Sequence, residues 1–147
     1  MMSKINYVDI KNKVTIVIPS FNEELYIERT LLGIIKQRSI YGTRVIVADN
    51  HSTDKTRKIV EVMSAIHREH IDIELIDGGP VGVARNNGAK LATTKYILFV
   101  DADVEFTSPD TIHDTLIEME KHNLYLLTCR LKSYGKDFRT RLLFGIY

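Results

Sequence analysis

The chain has 147 residues, 44% of them hydrophobic and 27% charged, which suits one soluble domain with a core of ordinary size. A net charge of +1 supplies no bulk attraction for nucleic acid. No apolar run reaches the roughly 20 residues that a membrane helix needs, and a single cysteine, Cys129, excludes an intrachain disulfide.

Residues 1–13 mix polar and apolar side chains without a long apolar stretch, so they read as an N-terminal extension and not as a signal peptide. From there short β-rich runs alternate with helical patterns. Val14 to Ile18 predicts a strand ended by Pro19. Glu23 to Arg38 predicts a helix, with Leu31, Leu32, Ile34 and Ile35 as its apolar stripe and Asn22 as N-cap. Arg44 to Ala48 is a second strand, and Thr53 to His70 a second helix with Ile59, Val60, Met63 and Ile66 on one side. Ile71 to Ile76 is a third strand, Val83 to Ala92 a third helix, and Lys95 to Val100 a fourth strand. Ser108-Pro109-Asp110 carries helix-start chemistry for a helix ending near His122. Leu124 to Leu131 predicts a fifth strand, with Cys129 as a small core residue. The order implies an α/β domain over residues 14–131: a doubly wound, mainly parallel sheet with helices on both faces. Residues 132–147 form a separate basic and apolar segment.

In such sheets ligands bind outside the carboxyl ends of the strands. That rule gathers four polar clusters along one edge. Pro19-Ser20-Phe21-Asn22-Glu23-Glu24 has no glycine, so it is neither a dinucleotide fingerprint nor a P-loop. Phe21 could offer a face to a base, and Ser20, Asn22 and Glu23 could offer hydrogen bonds. The loop could equally be a capped turn with acids complementing a helix dipole. In Asp49-Asn50-His51-Ser52-Thr53-Asp54, Asp49 is a pure acceptor at a strand tip and could receive an imide N–H or ribose hydroxyls. Ser52, Thr53 and Asp54 suit the start of the next helix, and His51 has no second histidine at ligand spacing. Gly78 to Gly88 is glycine-rich and allows close backbone approach. Arg85, in the first turn of its helix, opposes the dipole; a diphosphate, nearby carboxylates or a surface salt bridge would use its charge.

The most informative stretch is Tyr96 to Asp103, where a buried-type strand runs into Asp101-Ala102-Asp103. On an extended backbone alternate side chains share a face, so the two carboxylates converge. They repel unless something positive lies between them. A hard divalent cation, Mg²⁺ or Mn²⁺, suits an oxygen-only set and also holds phosphates. Haloacid-dehalogenase-type phosphatases carry a strand-Asp-x-Asp motif too, but on an early strand with further motifs downstream. Here the motif follows three βα units, and 105–147 holds no such set.

Taken together, Val17 to Glu23, Val47 to Asp54, Gly82 to Gly88 and Phe99 to Asp103 resemble the nucleotide-sugar-binding half of a GT-A fold glycosyltransferase of family 2. The Asp-Ala-Asp form and the Asn-Glu pair are similar to dolichyl-phosphate-sugar synthases within that family. The resemblance runs from Val14 to Glu105. It implies that Pro19, Phe21 and Glu23 border the nucleoside and that Asp49 contacts the base. It places Arg85 near the diphosphate or base, Asp101 beside ribose and metal, and Asp103 as the direct Mg²⁺ or Mn²⁺ ligand. The implied donor is a UDP- or GDP-sugar, transferred with inversion to a lipid phosphate or a glycan. Family members are usually longer, and no residue after Glu105 can be assigned as the general base, so the acceptor side reads as truncated. A binding-only module that holds the nucleotide and metal is the rival reading. Phe138 to Tyr147 could begin an interfacial helix at a membrane surface, or pack on this domain or on a second copy. The expectation is a cytoplasmic protein, with membrane contact through that segment.

Overall fold

The computed structural model describes residues 10–129. Within them the chain runs β1 (Val14–Ser20), α1 (Ile27–Ile35), β2 (Arg44–Asp49), α2 (Thr56–His67), β3 (Asp72–Asp77), α3 (Val81–Leu91), β4 (Tyr96–Phe99) and α4 (Thr111–Lys121). The strands form one parallel sheet in the order β3-β2-β1-β4. The chain steps outward from β1 to β3, then returns to the other side of β1. The order therefore reverses beside β1, and a crevice opens there at the carboxyl ends of the strands.

Alternation along the strands builds the two faces. Val14, Ile16 and Ile18 of β1, with Val45, Val47 and Ile73, pack against Ile27, Leu31 and Ile34 of α1, Val60 and Met63 of α2, and Ile112 and Leu116 of α4. Each such side chain contributes about 1.5–3 kcal/mol on burial. The opposite face is covered by α3, which lies over β1 and β2. Gly88 makes that approach possible, since a Cβ there would stand 2.4 Å from Val17 Cγ1. Gly88→Ala is expected to cost about 1–3 kcal/mol by overpacking. A urea midpoint equal to the parent's would contradict this close packing.

Several local expectations are corrected. Residues 124–129 are not a strand; Tyr125 and Leu126 are strongly exposed, and Cys129 is exposed as well, not buried in a core. An apolar run becomes a strand only where a neighbour offers a ladder, and no described strand pairs with these residues. Positions 130 and 131, and the segment Phe138 to Tyr147, lie outside the described residues. Helix α1 begins at Ile27, with Tyr26 as N-cap, so neither Glu23 nor Asn22 starts it. Asn22 has φ 55° and serves the loop contacts described below. Helix α3 begins at Val81, which moves Arg85 out of the first turn. Among the described residues no helix is long and apolar enough to cross a membrane.

Candidate functional site

The loops after β1 and β2 are sewn together. The backbone N–H groups of Asn22, Glu23 and Glu24 donate to Ser52 Oγ (2.8 Å), Thr56 Oγ1 (2.7 Å) and Asp54 Oδ2 (3.1 Å). In return, Thr53 N donates to Asn22 Oδ1 (2.9 Å) and Lys55 N to Glu24 Oε2 (3.0 Å). These bonds hold residues 22–24 out of helical conformation and delay α1, because the side chains offer the backbone other partners. Asp54 Oδ1 also accepts from Thr56 N at 2.9 Å, the first N–H of α2. His51, with φ 53°, is an exposed loop residue.

Asp49 sits beneath this seam with no exposed surface. Its Oδ1 accepts from Ser20 Oγ (2.9 Å) and Ser52 Oγ (2.6 Å), and its Oδ2 from Ser52 N (2.9 Å) and Arg57 (3.2 Å). Burial pushes its carboxyl up, but the bonds from Ser52, Ser20 and Arg57 outweigh it and hold the group below the ordinary aspartate value. A carboxylate offers about four acceptor sites, and here all are used. Arg57 also reaches Asp77 at 3.1 Å and so ties the tips of β2 and β3. The hydrogen bond to Asp49, opposed by some desolvation and joined by Asp77, holds the guanidinium's pKa above its ordinary value.

In front of the seam lies a cleft of about 440 Å³, bordered by Pro19, Phe21, Glu23, Asn50, Arg85 and the Asp101–Asp103 segment, with Ser20, Gly79 and Val81 completing it. Phe21 is 54% exposed, an aromatic face with no core duty. Gly79, at φ 110°, and uncapped α3 lead into the cleft; α3 has no side-chain cap bond, and a helix start of that kind favours an anion. Gly78, one residue earlier, approaches β2 so closely that a Cβ would lie 2.6 Å from the Ala48 carbonyl oxygen. Asn87 Nδ2 donates to the Gly78 carbonyl at 2.9 Å and fixes the loop to α3.

The acids are concentrated on one side of the cleft. Beyond the end of β4 the backbone turns, with Val104 N donating to the Asp101 carbonyl at 3.2 Å. Asp101 and Asp103 are thus exposed on a turn around buried Ala102, and not on an extended strand as the spacing suggested. Arg85 donates to Asp101 Oδ1 at 2.6 Å, while its Nε is buried without a partner among the described residues. Asp103 has no hydrogen bond or ion pair among them. Burial raises the Glu23 carboxyl above its ordinary value, and Asp103, Asp54 and Asp101 raise it further. The cleft therefore holds more negative charge than Arg85 offsets. An oxygen-only donor set in an excess negative field fits a hard divalent cation. No group of three potential ligand side chains closes on one point among the described residues. A cation here would take its remaining oxygens from phosphates and water, as Mg²⁺ commonly does.

Of the residues singled out from sequence, Pro19, Phe21, Glu23, Arg85, Asp101 and Asp103 meet at this cleft, and Asp49 does not border it. Two residues were overlooked. Asn50 borders the cleft, placed there by the bond from its backbone N–H to the Ser20 carbonyl at 2.8 Å; it directly follows a strand-tip acid, and that position was its signal. Arg57 lies in the first turn of α2, so it, and not Arg85, is the arginine that opposes a helix dipole.

Comparison with known proteins places this geometry. Residues 15–144 match the family described as Glycosyl transferase family 2. Over 122 residues the chain is 31% identical to the poly(ribitol-phosphate) beta-N-acetylglucosaminyltransferase TarS of Staphylococcus aureus, covering 82% of this chain and 21% of that protein. It is 32% identical over 93 residues to the teichuronic acid biosynthesis glycosyltransferase TuaG of Bacillus subtilis, whose assignment is itself provisional, covering 63% of this chain and 36% of that protein. The crystal structure of S. aureus TarS 1-349 in complex with UDP-GlcNAc is similar at a TM-score of 0.70 and 28% identity, over 85% of this chain and 36% of that one. The mannosyltransferase PcManGT from Pyrobaculum calidifontis, solved with GDP-Man and Mn²⁺, is similar at a TM-score of 0.66 and 25% identity, over 73% of this chain and 32% of that one. The chain thus spans about a fifth to a third of the length of these relatives.

Proposed function

Because this chain belongs to glycosyl transferase family 2 and has its GT-A fold, we propose that it forms the donor-binding part of an enzyme that transfers a sugar from a nucleotide-diphospho-sugar. The observation that carries this reading is the cleft itself, where an aromatic face, an amide side chain, one arginine and an unpaired aspartate meet at the sheet's switch point. Phe21 and Pro19 border the nucleoside. Asn50 reads the base edge, since an amide offers both a donor and an acceptor, whereas Asp49 is spent on its own neighbours and acts from behind by shaping the loop. Asp101 lies beside the ribose and metal, and Arg85, with an orphaned Nε, turns toward the diphosphate. Asp103, supported by Asp101, holds Mg²⁺ or Mn²⁺. When bound, that cation supplies Lewis-acid stabilisation of the departing nucleoside diphosphate. The donor is a UDP- or GDP-sugar and the acceptor a lipid phosphate or glycan, with inversion at the sugar carbon. Domain limits at 14 and 131, a cytoplasmic location, contact of the C-terminal segment with a membrane surface and self-association belong to the same proposal. The relatives' activities support transfer over binding alone.

Calorimetric titration of UDP and GDP, with and without Mn²⁺, tests the reading. Binding that requires the cation is expected for one of the two nucleotides; no binding of either would sink it. When uridine or guanosine is titrated beside the nucleotide, Asn50→Ala is expected to lose affinity for both. Arg85→Ala should lose affinity only for the diphosphate. Equal losses in both variants would undo these two assignments.

A further inference from the structure

Helix α1 grips the segment that follows β4 in register. Two of its positions, Thr30 and Gly33, and Gln37 just beyond its end, spaced i, i+3 and i+7, face that segment in turn. Thr30 Oγ1 lies 2.7 Å from the Ala102 carbonyl oxygen and 2.9 Å from that of Val104. Gly33 meets Phe106, with a Cβ position 3.2 Å from Phe106 Cδ2. Gln37, just past the helix, donates from Nε2 to the Ser108 carbonyl (2.9 Å) and accepts at Oε1 from Ile112 N (3.1 Å). Thr30 is fully buried, and so is Gln37 but for a small fraction. The Thr30 contact stands apart from the others because Ala102 lies between Asp101 and Asp103. One hydroxyl proton is shared by the two carbonyls that frame Asp103. Those carbonyls have no other described donor, and a buried acceptor left unpaired is costly.

We propose that Thr30 is a positioning residue for the cation-bearing turn: its hydroxyl fixes the Ala102 and Val104 carbonyls and so sets the relation of Asp103 to Asp101. The proposal rests on the nucleotide and metal reading above. Groups that orient metal ligands from behind matter nearly as much as the ligands, because a site that must be ordered on binding binds less tightly. Thr30 does not itself line the cleft and reaches it only through the backbone of Ala102, so its effect would be confined to the cation and the phosphates it holds.

The test uses the full chain with UDP and GDP as probes. Thr30→Val keeps the shape and removes the donor; Thr30→Ser keeps the donor; Asp103→Asn reports on the reading itself. For Thr30→Val, affinity for the Mn²⁺-nucleotide should fall about tenfold, the low end of losses seen when an outer partner of a metal ligand is removed. Affinity for the nucleoside alone, read by ligand-observed NMR, should stay at the parent value, and Thr30→Ser should restore Mn²⁺-nucleotide affinity. A merely structural role would lower the melting midpoint and both affinities together, and that result overturns the proposal. So does parent-like Mn²⁺-nucleotide affinity in Thr30→Val. If Thr30→Val does not fold, Thr30→Ala, which admits a water beside the carbonyls, carries the same expectation and the same refutation. If Asp103→Asn binds like the parent, both the reading and this inference fall; if Asp103→Asn is weak and Thr30→Val is not, only the inference does.

Discussion

Asp103→Asn is expected to weaken Mn²⁺-dependent UDP or GDP binding about a hundredfold, equivalent to roughly 2.7 kcal/mol, with no loss of fold. The size follows from what the residue lacks. Asp103 is exposed and makes no hydrogen bond or ion pair among the described residues, so its charge contributes nothing to the folded chain. Instead it burdens its neighbour: after burial, it is the main reason that the Glu23 carboxyl is raised. Removing that charge should leave the melting midpoint unchanged or slightly higher, as for exposed sites without partners. Calorimetry gives the affinity and a thermal scan gives the midpoint. Unchanged affinity would show that Asp103 holds no cation, and a midpoint that falls together with the affinity would show that it serves the fold. The same logic separates it from Asp101, whose carboxylate is already paired with Arg85 at 2.6 Å.

Asp49→Asn should have the opposite signature, a large loss of stability. The carboxylate is fully buried and receives bonds from Ser20, Ser52 and Arg57. An amide there would set an N–H₂ against those donors and leave Arg57 with only Asp77. Breaking a buried charged network of this kind costs about 2–4 kcal/mol, a large share of the roughly 5–15 kcal/mol that holds a domain together. Urea unfolding at neutral pH measures it; a loss under about 0.5 kcal/mol, the size usual for surface changes, would refute the network's importance. The pH dependence gives a second reading. Asp49 is held below its ordinary value when folded, so its contribution is present above the unfolded aspartate value and is lost as pH falls through the lowered folded value. The parent should lose that stability on acidification, and the Asp49→Asn variant should lack this part of its acid limb.

The two aspartates also mark where sequence reasoning reaches its limit. The alternation of strands and helices, the parallel sheet and the polar clusters at its carboxyl edge follow from periodicity, and each described strand lies within a residue or two of its expected place. Pro19, Phe21, Glu23, Arg85, Asp101 and Asp103 were legible as one site because strand order alone brings strand tips together. The run at 124–129 was not legible: its apolar, β-prone residues become a strand only if another strand accepts them, and none described here does. Cys129 was misplaced for the same reason.

Local chemistry, carried by the chain's own residues, determined which segments become strands and helices and which charged groups lie at strand ends, because those depend on spacings of a few residues. Only the folded arrangement decided what each charge does. Asp49 ends β2 and Asp103 sits on the turn that follows β4, yet one is enclosed by donors from three segments and the other faces solvent unpaired. Ser52 and Arg57 lie only 3 and 8 positions from Asp49 and Ser20 lies 29 away; folding closes all of them on one carboxylate, and no pattern of neighbours along a chain encodes which of two similar acids will be enclosed.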